Sequence, residues 1–215
     1  MTDSLHETTK KIKQSLRLSM NGIVSALQRR QGLNYRINFG VEIPRLKEIA
    51  SQYEKSEELA TTLWQENIRE CKLLAIFLLP PSSYASVAPK WVALVPFTEI
   101  ADHLAMNKLC KLPDAATQAL QWAGNPAGLH RYCGYLTLAH VARRGQALTA
   151  EQEKLFVELA GELFEASEGG VDKQCAAKAV CSYIDNSGEG VERLLALCAP
   201  HSALAAFVND YIQEV

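Results

Sequence analysis

The chain has 215 residues, 48% of them apolar, and a formal net charge of −2. That length supports one sizeable core or one extended array of helices, and the near-neutral charge excludes wholesale attraction to a polyanion. The charge is unevenly spread, however: residues 1–144 carry 18 Lys and Arg against 12 Asp and Glu, and residues 145–215 carry 4 against 12, an asymmetry that can place a basic face on one part of the molecule.

In chain order almost every segment reads as helix, with little of the period-two alternation that marks strands. "MTDSLHETTKKIKQ" has no apolar stretch of the secretory kind. A basic helix starts after Asp3 or Ser4 and runs through "TTKKIKQSLRL". "MNGIVSALQRRQG" continues or restarts it, with Gly32 as a stop. After the loop "LNYRINFGVEI", Pro44 suits the first turn of "PRLKEIASQYE", where its missing N–H is not needed. Ser56 caps "EELATTLWQE". "IRECKLLAIFLL" is closed by Pro80 and Pro81, and it falls well short of the roughly 20 apolar residues a bilayer requires.

Pro89 interrupts "SYASVAPKWVALV". "TEIADHLAMNKLCKL" then reads as one helix ended before Pro113, followed by "DAATQALQWAG" and "PAGLHRYCGYLTLAHVARRG". Thr149 and Gln152 form a capping-box pattern for "TAEQEKLFVELAGELFEAS". "VDKQCAAKAVCSYID" and two short helices near 189–198 and 201–212 finish the chain. About a dozen helices this short need packing to persist. The expected fold is therefore all-α, a single domain with an N-terminal helical segment (1–31), a central part (38–185) and C-terminal helices (186–215).

The six cysteines, at 71, 110, 133, 175, 181 and 198, form no CxxC pair and complete no zinc pattern with the histidines. Most lie in apolar helical context, so free, buried, reduced thiols are expected, as in a cytoplasmic protein. Cys133 and Cys175 begin similar-looking runs 42 residues apart, near the period of a HEAT-type helix pair.

"INFGVEIPRLKEIA" followed by "LATTLWQENIRECKLLAIFLL" resembles the bacterial DNA alkylation repair family of the AlkD type. The residues that carry the resemblance are Phe39, Gly40, Val41, Ile43 and Pro44, then Leu63 and Trp64, then Glu70, Lys72, Leu74 and Ala75. The match is clear over about residues 38–80 and looser to about 185. It implies a HEAT-like solenoid of stacked helices curved around a basic concave face that holds duplex DNA. Active members of that family remove cationic alkylated purines, using two Trp, an Asp and an Arg. A carboxylate stabilises the oxocarbenium character left on the sugar. Indole faces favour the cation, and Arg grips a phosphate.

At those places this chain departs from its relatives. "ADHLAMNKLC" carries His103, Asn107 and Lys111 at i, i+4 and i+8. Matching its Leu109–Cys110 step to the family puts His103 at a Trp position and Asn107 at the Asp position. Asn cannot carry the charge, and a cationic His repels a cationic base. A one-residue slip brings Lys108 to the Asp position instead. Asp102 is the nearest carboxylate, but on an ideal helix it faces roughly opposite Asn107. "GLHRYCG" supplies Arg131 for the family's Arg, with His130 before it and Gly128 in place of Trp. "KAVCSYID" puts Ser182 where the distal Trp stands. Arg143 and Arg144 are further phosphate candidates, although the end of a helix attracts cations in any case. Each of these residues also has a plain reading: solvated helix surface for His103 and Asn107, a carboxylate partner for Arg131, and packing for Trp64, Trp91 and Trp122.

Three functions fit. The first is a HEAT-like, duplex-DNA-binding protein whose glycosylase site is degenerate, with Arg131, His103, Asn107, Lys108, Lys111, His130, Arg143 and Arg144 facing the nucleic acid. The second is an active alkylpurine DNA glycosylase with a rearranged site, built on Asp102 or on a carboxylate elsewhere in the chain. The third is a non-enzymatic scaffold for a protein partner, a common use of helical repeats. None calls for a metal or another cofactor, or for a membrane.

Overall fold

The computed structural model describes residues 2–166, 170–188 and 190–214. Among them are thirteen α-helices, two short 3₁₀ turns and one isolated parallel bridge, between Ile37 and Ile68. The chain divides into two compact units, Met1–Tyr84 and Ala85–Val215.

The first unit opens with α1 (Thr2–Leu18), which buries Ile12 and Leu16 and exposes Lys10, Lys11 and Arg17. The backbone breaks at Ser19–Asn21. Asn21 then caps α2 (Gly22–Arg30), its side chain accepting from the Val24 N–H. Gly32 stops α2 with a φ of 92°, a value that costs glycine little. Next come α3 (Ile43–Ser51), with Pro44 in its first turn, and α4 (Glu57–Gln65), capped by Ser56. The innermost helix is α5 (Arg69–Leu78). Eight of its ten residues are buried, and it packs on α3 and α4.

The resemblance-bearing residues hold this unit together. Glu70 is fully buried. Its carboxylate accepts the N–H groups of Phe39 (3.1 Å) and Val41 (3.2 Å) and is paired with Arg69 at 3.1 Å. Arg69 also donates to the Val41 carbonyl at 2.9 Å. A buried carboxylate is tolerable only with such partners. The Phe39–Val41 loop is therefore fixed to the start of α5 by two side chains, Glu70 and Arg69.

The second unit holds α6 (Tyr84–Val92, entered from the last residue of the first unit), α7 (Thr98–Asn107), a 3₁₀ turn at Leu109–Lys111, α8 (Ala115–Ala123), α9 (His130–Arg143), α10 (Ala150–Glu165), α11 (Val171–Ser187), α12 (Gly190–Cys198) and α13 (Ser202–Glu214). Pro89 lies inside α6. Helix α9 is central: residues 132–139, 141 and 142 are buried, and it packs on α7, α8 and α11. Gly134 makes the α8 contact possible, because a Cβ there would lie 2.4 Å from the Ala123 nitrogen. The Thr149–Gln152 capping box starts α10 as its sequence predicts. α8 and α10 touch each other and back onto α9 and α11, giving two layers of helices. Among the described residues, no single helix is long and apolar enough to cross a membrane.

Candidate nucleic-acid interface

Three helices of the second unit position the candidate residues. α7 and α9 run in the same direction: Asp102 on α7 meets Tyr132 near the start of α9, and Cys110, just past α7, feels the charge of Arg144, just past α9. α9 and α11 are likewise parallel, because Arg131 meets Asp172 near both starts and Lys178 acts on His140 a few turns on. The period that relates Cys133 to Cys175 in the sequence thus corresponds to neighbouring helices.

The helix that carries His103 and Asn107 is shorter than its sequence suggests. It ends at Asn107, and Lys108 leaves the helical region with φ −127° and ψ −60°. The Asn107 amide donates back to the His103 carbonyl at 2.7 Å, so it closes the helix end. Lys111 stands on the following 3₁₀ turn and does not extend a His103–Asn107 stripe. Lys108 was expected among the phosphate-facing cations. It is only 3% exposed, so its ammonium is turned into the protein instead of towards a ligand. Ser182, at the distal Trp position, is similarly buried and offers no surface platform.

Arg131 is held from two sides. Its Nε donates to the Ala123 carbonyl at 3.3 Å, and its Nη1 lies 3.6 Å from an oxygen of Asp172. Half-buried and paired, it presents little free charge. His130 starts α9 with its Nδ1 2.7 Å from the Ala127 carbonyl. Of the three tryptophans, Trp64 and Trp91 are buried and Trp122 is half-buried.

A different set comes together beside them. Lys111, Arg143, Arg144 and Lys178 are all exposed, and none lies within ion-pair distance of a described carboxylate. Burial pushes the His140 imidazole down to about 4, and Arg143 and Lys178 push the same way, so His140 is neutral near neutral pH. Burial raises the Cys110 thiol, while Arg144 and Lys111 oppose that shift. These shared neighbours tie the cations to the C-terminal end of α9. Lys178 opens "KAVCSYID", a stretch in which the sequence singles out only Ser182. It meets the influence of Arg143 at His140 through the packing of α9 and α11, which single-helix spacing does not reveal.

Asp102 is the carboxylate that α7 turns towards α9 and α11. It is half-buried and accepts from the Tyr132 hydroxyl at 3.4–3.5 Å. Burial raises its pKa, against the pull of Lys178, Tyr132 and His103. Among the described residues, no three His, Cys, Asp or Glu side chains converge as a metal site would require.

The profile of the DNA alkylation repair enzymes matches residues 12–198. The chain belongs to the DNA alkylation repair enzyme family. Among solved structures it is similar to one described as "a new family of proteins related to the HEAT-like repeat DNA glycosylases with affinity for branched DNA structures". The TM-score is 0.73 at 17% identity, over 88% of this chain and 81% of that one. At that identity the likeness establishes the fold, a HEAT-like helical repeat. No curated protein matches this member of the DNA alkylation repair family.

Proposed function

We propose that this DNA alkylation repair family protein binds DNA by its sugar–phosphate backbone, that branched DNA is its preferred form, and that its glycosylase site is degenerate. The observation that carries the reading is the exposed group Lys111, Arg143, Arg144 and Lys178, free of ion pairs with described carboxylates. Such cations exchange mobile counterions for phosphates, which favours binding through release of those ions. The degenerate-site part rests on residue chemistry. Two of the three indoles are in the core, and Asn107 closes a helix where the relatives' pattern, in the sequence register above, calls for a carboxylate. The preference for branched DNA is taken from what is said of the structural neighbour.

Titrating a four-way junction and a linear duplex against the protein tests this. Affinity for both should fall between about 50 and 200 mM salt, with a log–log slope of about −0.9 for each phosphate neutralised. Replacing the four cations with Gln should weaken binding and flatten the slope. Absence of binding at low salt overturns the proposal and leaves the protein-interaction scaffold.

Asp102 favours a second reading, an active alkylpurine glycosylase with a rearranged site. It is a sheltered carboxylate whose charge is steadied by a tyrosine hydroxyl and Lys178. In the register that makes Asp102 the family's carboxylate, Thr98 stands four residues before it, where the relatives carry Trp. Release of 7-methylguanine from duplex DNA that survives Asn107→Ala and is lost in Asp102→Asn would establish this reading over the first.

A further inference from the structure

α2 is built inside out. None of its residues is buried, and its most apolar side chains face solvent: Ile23 is 84% exposed and Leu27 53%, with Met20 at 63% just before the helix. Within α2, Ile23, Leu27 and Arg30 fall at i, i+4 and i+7, one stripe of a helix, and Met20 stands on the non-helical stretch just before it. The opposite side is anchored by polar and backbone contacts. The Ser25 hydroxyl donates to the Asn38 carbonyl at 2.7 Å, and the Asn21 N–H donates to the Phe39 carbonyl at 2.8 Å. Gly40 lets the two segments meet this closely, since a Cβ there would lie 2.2 Å from the Asn21 oxygen. The apolar stripe is thus held in a fixed orientation by groups other than itself. Exposed apolar side chains grouped in this way mark a surface that something covers.

The charge around the stripe selects the occupant. Residues 11–41 contain six cations, Lys11, Lys13, Arg17, Arg29, Arg30 and Arg36, and no carboxylate. Arg17, Arg30 and Arg36 are exposed, and Arg17 and Arg36 line a groove of about 280 Å³ together with Ile37 and the Lys13–Glu66 ion pair. An exposed apolar group whose own segment carries only cations, with the groove's Glu66 already paired to Lys13, complements a ligand with flat apolar faces inside an anionic frame. Nucleic acid at a point where stacking is broken has that form: exposed base faces bordered by phosphates. Apolar side chains set between base steps are a known way for proteins to engage such points.

We infer that Met20, Ile23 and Leu27 form an apolar wedge that packs on unstacked bases at a DNA branch point, while Arg17, Arg30 and Arg36 hold the flanking phosphates. The inference rests on the DNA-binding reading above and adds a reason for selectivity. A linear duplex must first be unstacked to admit the wedge, whereas a branch point already interrupts the continuous stack.

The test uses the full chain with Met20→Ser and Ile23→Ser combined, changes at exposed positions that remove no core contact. Junction affinity is expected to fall about tenfold or more, with linear-duplex affinity and its salt slope unchanged. A 2-aminopurine base at the branch point should change its fluorescence on binding the native chain and not the variant, and Ile23→Leu should restore both effects. Equal loss on both DNAs, or no loss on either, overturns the wedge and leaves the DNA-binding reading standing. Failure of the native chain to bind any DNA at low salt overturns both. Two further results would overturn the wedge. One is pelleting with phosphatidylserine vesicles that the variant loses while junction selectivity persists, which assigns the stripe to a lipid surface. The other is a native dimer that the variant turns into a monomer with junction selectivity intact, which assigns it to a second copy.

Discussion

Glu70 satisfies two backbone N–H groups and one guanidinium from a site with no solvent exposure. Its place in the sequence, beside Arg69 at the start of an apolar helix, looks like a charged surface pair. Only the resemblance marks it as unusual, and it does so without saying why. The structure supplies the reason: Phe39 and Val41 are 31 and 29 residues away, and no local pattern announces that their N–H groups need a carboxylate. Replacing Glu70 with Gln keeps the shape but removes the charge opposite Arg69, and it turns a donor towards an N–H that needs an acceptor. We expect a loss of about 3–5 kcal/mol, the range for breaking a buried pair from one side. Chemical denaturation should show it as a lower midpoint with an unchanged slope. A loss below about 1 kcal/mol would mean that water can reach the loop and replace the carboxylate. The same reasoning separates Arg131 from the free cations. Its residue type suits a phosphate, but Asp172 on α11 stands 3.6 Å from it.

Among the elements, capping chemistry was the most legible signal. Ser56, Pro44, Thr149 with Gln152, and Gly32 all mark the helix ends they were expected to mark, because each acts within one turn of its own position. The end of α7 was not legible. Nothing between Asn107 and Pro113 breaks a helix in the sequence, so the periodicity runs on and gives His103, Asn107 and Lys111 a common face that the backbone does not provide. α2 was legible as a helix, yet its orientation was not. Its apolar residues predict burial, and it is the polar Ser25 that faces the body. Gly40 is the residue on which this arrangement depends. Its φ of 70° already disfavours any side chain, and a Cβ would meet the Asn21 oxygen at 2.2 Å and the Ser25 nitrogen at 2.6 Å. Gly40→Ala should therefore cost at least about 1–2 kcal/mol from the backbone conformation alone. It should also loosen α2 selectively. Hydrogen exchange should speed up at the α2 amides well beyond those of α5, and a uniform change across both helices would contradict the local anchoring described here.

At the scale of the whole molecule, the all-α class was readable from helix period and link length, and the HEAT-like repeat from the family resemblance, with the recurrence of Cys133 and Cys175 only a weak hint of it. Which cations stand near the same side chain was not, because that depends on which helices lie side by side. The thiols offer a check on the packing that decides it. Cys71, Cys110, Cys133, Cys175 and Cys198 are buried, and Cys181 is half-exposed. Burial pushes Cys71, Cys133 and Cys175 up to about 12 and Cys198 to about 11, and it also raises Cys110 and Cys181. The thiolate is the reactive form, so raised pKa values and burial act together to slow alkylation. Native protein treated with iodoacetamide near neutral pH should label at Cys181 first and slowly, and all six should label once guanidinium unfolds it. Peptide mass spectrometry reads the order directly. Cys133 and Cys175 carry the greatest weight, since they lie on α9 and α11, the pair whose packing brings Lys178 and Arg143 to the same histidine, His140. Labelling of either at the rate of Cys181 would mean that these helices separate in solution, and the cation group that supports DNA binding would lose its frame with them.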